Sequence, residues 1–87
     1  MIDADLVRRA AAGDRAALES LIEGIQDKVY GLALRMLWHP DDARDATQEI
    51  LLRVVTHLSS YRHESSFLTW VYRLATNALL SKEPAGT

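Results

Sequence analysis

"RAALESLIEGIQDKVYGLALRMLW", residues 15–38, decides the fold of this chain. Leu18, Leu21, Ile22, Ile25, Val29, Leu32, Ala33 and Met36 recur at intervals of three and four. That is the period of one face of a helix, and it excludes the alternation of a strand. The spacing predicts a long helix from Arg15 to about Trp38. Gly24 and Gly31 fall inside it, seven apart and so nearly on one face. Each costs about 1 kcal/mol against alanine in a helix interior, so the pair predicts close approach by a neighbouring helix.

Upstream, Asp14 has the short acceptor side chain of a helix N-cap, and Gly13 suits the end of a preceding helix. That earlier helix is "ADLVRRAAA", capped by Asp3. Downstream, "WHPDD" interrupts the pattern. Pro40 disfavours helix at His39 but fits the first turn of a new one. A third helix is expected from about Asp41 to Ser59, with Ala43, Ala46, Ile50, Leu51, Val54 and Leu58 facing inward. Asp41, Asp42 and Asp45 near its start complement the helix dipole. The connection then opens into "RHESSFLTW", residues 62–70, which holds more chemistry than a turn requires. Ser65 or Ser66 can cap a fourth helix from Phe67 to about Leu80, with Phe67, Val71, Leu74, Ala75 and Ala78 as its inward stripe.

Four amphipathic helices with short links form a small antiparallel all-α bundle of three to four helices. We expect one helical domain over residues 1–80 and a disordered tail over 81–87, where "SKEPAGT" is rich in small residues and proline. No internal repeat and no low-complexity segment occurs.

Composition narrows the function. The 87 residues are 48% hydrophobic and 25% charged, as in an ordinary globular domain. At this size only about 60% of the unfolded surface is buried on folding, so burying a helix face on a partner is plausible. The absence of cysteine excludes disulfide and thiolate chemistry. No apolar run is long enough to span a bilayer, and a cytoplasmic location with no membrane insertion is expected. The net charge of −2 argues against a domain that grips duplex DNA alone by neutralising phosphates.

Catalysis finds little support. His39, His57 and His63 share no helical spacing, and neither a metal-ligand motif nor a glycine-rich phosphate loop occurs. No metal or other cofactor is expected. The aspartates that open the third helix read as dipole complement, and Ser65 and Ser66 as caps rather than nucleophiles. An enzyme would need a polar pocket with a shifted titratable group, and no candidate cluster exists.

Two surfaces remain. At a hundred degrees per residue, Asp41, Asp45, Gln48, Glu49, Leu52 and Thr56 share the outward face of the third helix. This face has two readings: a solvated surface, or an interface whose apolar centre is Leu52 and whose rim is polar. On the fourth helix Thr69, Arg73, Thr76 and Asn77 lie opposite the inward stripe, with Trp70 at the border. Arg73 can meet a phosphate or a base edge, and Asn77 can both donate and accept. Tyr61, Phe67, Trp70 and Tyr72 can complete a small core or offer platforms for unpaired bases.

These residues resemble region two of bacterial sigma factors, most of all the extracytoplasmic-function (ECF) group. The similarity runs from Asp5 to about Leu79. It is most specific in D-x-x-Q-E (Asp45, Gln48, Glu49) and in F-x-T-W-x-Y-R-x-A-x-N, read here as Phe67, Thr69, Trp70, Tyr72, Arg73, Ala75 and Asn77. The resemblance implies a sigma-factor domain that docks on the β′ clamp coiled coil of RNA polymerase core through Asp45, Gln48, Glu49, Leu52 and Arg53. It also implies capture and melting of the minus-ten promoter element for transcription initiation. The non-template single strand would be held with a base flipped out, by Tyr61, Arg62, His63, Glu64, Ser65, Ser66, Trp70, Arg73 and Asn77. The alternative is an interaction module of the same fold that binds an anti-sigma factor or another protein without promoter DNA. The sequence departs from the family where the last helix normally turns basic, since "ALLSKEPAGT" supplies only Lys82. Ala46 and Val55 are also smaller than the side chains often found there.

Overall fold

In a computed structural model of the chain, which describes residues 2–81, short polar side chains set where the helices begin. The first backbone N–H groups of a helix have no partner within it, and an oxygen just before the first turn supplies one. Asp3 accepts from the Leu6 N–H at 2.8 Å and opens α1, Ala4–Ala11. Gly13, with φ of 102°, turns the chain, and Asp14 then accepts from Ala17 at 3.1 Å to open α2, Arg15–Leu37. The third helix, α3, spans Pro40–His57 and has no side-chain cap; Pro40 at its start has no N–H to satisfy. Ser66 accepts from Thr69 at 3.2 Å and opens α4, Phe67–Leu80. Among the described residues the elements are helical throughout, in the order expected.

The core is organised around α2. Its buried residues Ala17, Leu21, Ile25, Val29, Ala33 and Leu37 follow one another every four positions. Each such step overshoots a full circle by about 40°, so the buried line winds through roughly 200° along the helix. A stripe that winds this far needs cover from several sides, and α1, α3 and α4 all pack on α2. The expected inward residues of α3 are buried, and so is Thr47, whose hydroxyl donates to the Ala43 carbonyl at 2.7 Å. That local bond is what lets a polar side chain enter the core. On α4, Phe67, Val71, Ala75 and Ala78 are buried as expected, with Leu79 added and Leu74 half-buried.

The structure differs from the sequence expectations in three places. First, α2 stops at Leu37, and Trp38 takes the left-handed conformation (φ 69°, ψ −4°) with its N–H on the Leu34 carbonyl. Pro40 forces His39 to be extended (φ −119°, ψ 122°), so the reversal falls on Trp38. Second, the α-helical part of the third helix ends at His57, and a 3₁₀ turn, Leu58–Ser60, follows. Ser60 donates to the His57 carbonyl at 2.7 Å, occupying an acceptor that the helix end leaves free. Third, the two glycines of α2 do not meet a helix. A Cβ on Gly24 would lie 3.1 Å from the Ile2 side chain, whereas Gly31 faces open space. The expected disordered tail lies, apart from Ser81, outside the described residues.

Candidate functional site

On α3 the outward line forms as expected. Asp41, Asp45, Gln48, Leu52 and Thr56 are exposed and Glu49 is half-buried. Leu52 is 65% exposed, beside Leu51, which is 7% exposed. One apolar side chain of this pair is thus spent on the core and the other is turned outward. Arg53 reaches back one turn to Glu49, with 3.3 Å between Nη2 and Oε2. This i,i+4 pair holds both side chains along the helix beside Leu52, at a contribution of about 0.3–0.5 kcal/mol. Asp45 and Gln48 make no ion pair or side-chain hydrogen bond among the described residues, so their polar atoms are available. The Thr56 hydroxyl is turned inward onto the Leu52 carbonyl at 2.8 Å.

The apolar surface extends further than α3 alone predicts. Val55, one turn from Leu52, is 40% exposed and borders a shallow groove shared with Leu18, Glu19, Ile22 and Glu23 of α2. Reading the helix periodicity assigned Leu18 and Ile22 to the interior, and both are in fact half-buried. The signal was present in the Leu18/Ile22 pair, which flanks Leu21 on a stripe wider than one neighbour can cover.

The second surface joins the loop after the 3₁₀ turn to α4. Tyr61 is its hub. The Tyr61 hydroxyl donates to the Ser65 carbonyl, which closes the loop on itself. Its ring lies 4.5 Å from His63, 5.3 Å from Trp70 and 5.7 Å from Phe67 between centroids. Such tilted and edge-on pairs add about 0.5–1.5 kcal/mol each beyond burial. Phe67 is buried, and Trp70 is half-buried against it. Ser66 is committed to capping, since its hydroxyl also donates to the Thr69 hydroxyl at 2.8 Å. The loop's free chemistry is therefore on Arg62, His63 and Glu64, all exposed. His63 sits at φ 61°, a left-handed conformation that turns the chain back towards α4.

Along α4, Arg73 and Asn77 are exposed one turn apart, and with Thr69, Tyr72 and Thr76 they line an open concavity. Tyr72 belongs to this surface, which the sequence reading left among the general aromatics. The loop and this concavity are distinct. From Ser66, Arg73 is about 10 Å and Asn77 about 16 Å further along the helix axis. A small molecule could not touch both ends, whereas an extended polymer could. Among the described residues no group of three or more His, Cys, Asp or Glu could hold a metal ion. Nor is any helix there long and apolar enough to cross a membrane.

Known proteins are similar to this chain in sequence and in fold. The family model described as Sigma-70 region 2 matches residues 21–82. RNA polymerase sigma-H factor of Pseudomonas aeruginosa is 36% identical over 75 residues, covering 86% of this chain and 39% of that protein. ECF RNA polymerase sigma factor SigW of Bacillus subtilis is 32% identical over 76 residues, covering 87% of this chain and 41% of that protein. The chain thus spans about two-fifths of the length of these relatives. An NMR structure of an engineered region 2 of sigmaE in complex with GTAAAA superposes with a TM-score of 0.84 at 32% identity. The match covers 94% of this chain and 85% of that one. On the matched motifs, the fold and the relatives together, the chain belongs to the sigma-70 region 2 family, in its extracytoplasmic-function (ECF) branch.

Proposed function

We propose that this domain docks on RNA polymerase core through α3 and captures the unpaired non-template strand of a minus-ten promoter element with its loop and α4. The observation that carries the reading is the division of labour between two faces. Leu52 stands exposed among Asp45, Gln48, Glu49 and Arg53 on α3. Arg62, His63, Arg73 and Asn77 stand exposed on the other connection and helix. An apolar centre with a hydrogen-bonding rim suits a protein partner, here the β′ clamp coiled coil. A run of donors beside aromatic rings suits a single strand, where each stacked base contributes about 1–3 kcal/mol. The solved complex of an engineered sigmaE region 2 with GTAAAA supports a DNA-binding role for a domain of this fold. On this reading the domain works in the cytoplasm and catalyses no reaction of its own.

The test is fluorescence anisotropy with labelled single-stranded minus-ten oligonucleotides, with and without a β′ coiled-coil fragment. Arg73→Ala and Asn77→Ala should each lower sequence-selective binding by about tenfold, the worth of one good base or phosphate contact. Selectivity unchanged in both variants would remove the DNA assignment. Retention of an anti-sigma factor with no DNA binding in any arm would favour the interaction module instead.

A further inference from the structure

At the junction of α2 and α3 the chain reverses on a residue that the fold does not ask for. The position after α2 is left-handed (φ 69°, ψ −4°), with its N–H bonded to the Leu34 carbonyl at 2.9 Å. Glycine is the usual occupant of such a helix end, because it has no Cβ to crowd the backbone. Here it is Trp38, 81% exposed and in no ring contact among the described residues. A single exposed apolar residue is ordinary, but an exposed one on a disfavoured backbone is an outlier that points to function. Neither backbone geometry nor packing accounts for the indole, which leaves binding. We propose that Trp38 is a second anchor of the α3 docking face, and that it takes a lysine or arginine of the helical partner against its ring.

This rests on the docking reading above and extends it to the far end of α3. Asp41, three residues after Trp38, begins the outward line that continues through Asp45, Gln48 and Leu52, so the indole is continuous with that face. From Pro40 to Leu52 is about 18 Å along the axis, which a partner helix of roughly three turns spans. A helix lying lengthwise on α3 would thus meet an apolar group at each end, with the polar side chains between them.

Charge selects the chemistry of the group that Trp38 receives. Asp41, Asp42 and Asp45 are exposed at this end of α3. Arg44 pairs with Asp41, whereas Asp42 and Asp45 make no ion pair among the described residues. Arg35 is unpaired too, but it lies on the side of α2 opposite buried Ala33 and Leu37. An indole face with carboxylates a few residues away favours a cation: the ring quadrupole attracts it and the acids complete its neutralisation. Tryptophan is the best of the aromatic side chains for this contact and is over-represented among residues that dominate interface energies.

The experiment measures binding of the 87-residue chain to immobilised RNA polymerase core. Trp38→Gly should weaken binding about tenfold while the melting midpoint holds or rises, so that loss of binding cannot be loss of fold. Trp38→Phe, which keeps a ring, should stay within about threefold, and Trp38→Leu, apolar without one, should lose about fivefold. Asp42→Lys should also weaken binding by about fivefold; tighter binding would mean an acidic partner surface and overturn the proposal. Full affinity in Trp38→Leu overturns it as well, because any apolar side chain would then serve. Oligonucleotide binding should be unchanged in Trp38→Gly, and its loss with polymerase binding intact would assign the indole to the DNA strand instead. Leu52→Ala separates the two readings. If it weakens binding while the Trp38 variants do not, the second anchor alone falls; if none of them matters, the docking face falls with it.

Discussion

Trp38 carries two conditions that rarely coincide in one residue. It is 81% exposed, and it holds a left-handed backbone with φ of 69°. An L-residue with a side chain is disfavoured in that region by about 1–2 kcal/mol relative to glycine. Glycine would lose some of that advantage through the greater freedom of its unfolded chain, about 0.4–1 kcal/mol. Little packing is at stake, because the indole is mostly in solvent. Trp38→Gly should therefore stabilise the domain by about 0.5–1 kcal/mol, read as a rise of roughly 2–8 °C in the midpoint of a thermal melt. A fall in the midpoint would mean that the indole contributes packing that outweighs the backbone relief. The sequence announced a break at Pro40 but not which residue would bear the reversal, because no glycine marks the place. At the loop the outcome is similar. Phe67 was legible as core from its place in the stripe, whereas the hub role of Tyr61 was not. Its contacts to His63, Phe67 and Trp70 depend on a loop conformation that no periodicity encodes.

Helices are where the sequence speaks most clearly, since caps and three-and-four spacing act within a few residues. Asp3, Asp14 and Ser66 all cap, and α4 has the bounds that its pattern predicts. What could not be read is how far each face is covered. The buried line of α2 winds around the helix, so residues such as Leu18 and Ile22 end half-covered according to where neighbours stop. Whether the last turn of the third helix is α or 3₁₀ was equally hidden, because the same side chains serve both and only the final hydrogen bonds differ. α3 offers a sharp comparison within one element. Leu51 and Leu52 are adjacent, yet the first is 7% and the second 65% exposed. Leu51→Ala should cost about 2–5 kcal/mol through lost transfer energy and a cavity. Leu52→Ala should stay within about 0.5 kcal/mol of the original stability, as surface substitutions do. In a pull-down against the β′ clamp fragment the order should reverse for Leu52: the folded variant loses retention, and Gln48→Ala behaves likewise. Retention at the original level for both, with circular dichroism unchanged, would remove α3 as the docking face.

At the scale of the whole molecule, the charge balance and the fold have to be reconciled with binding a polyanion. The chain carries 12 acidic against 10 basic residues. Several of the arginines are already engaged at the surface: Arg8 and Arg9 with Asp5, Arg44 with Asp41, and Arg53 with Glu49. On the loop and α4, Arg62 and Arg73 are the described cations, and neither makes an ion pair among the described residues. Two phosphate contacts on a single strand release few counterions, so log K against log salt should have a slope of about −1.4. Affinity would then rest on stacking and base contacts rather than on phosphate neutralisation, and a weak intrinsic grip would be raised by the polymerase that α3 engages. A titration of the same oligonucleotide from low to moderate salt measures this directly. Arg73→Ala should reduce the slope by about 0.7, because one of the two charged contacts to the strand is lost. A slope steeper than about −3 would require phosphate contacts beyond these two arginines, and the strand would then have to follow a different path over the domain.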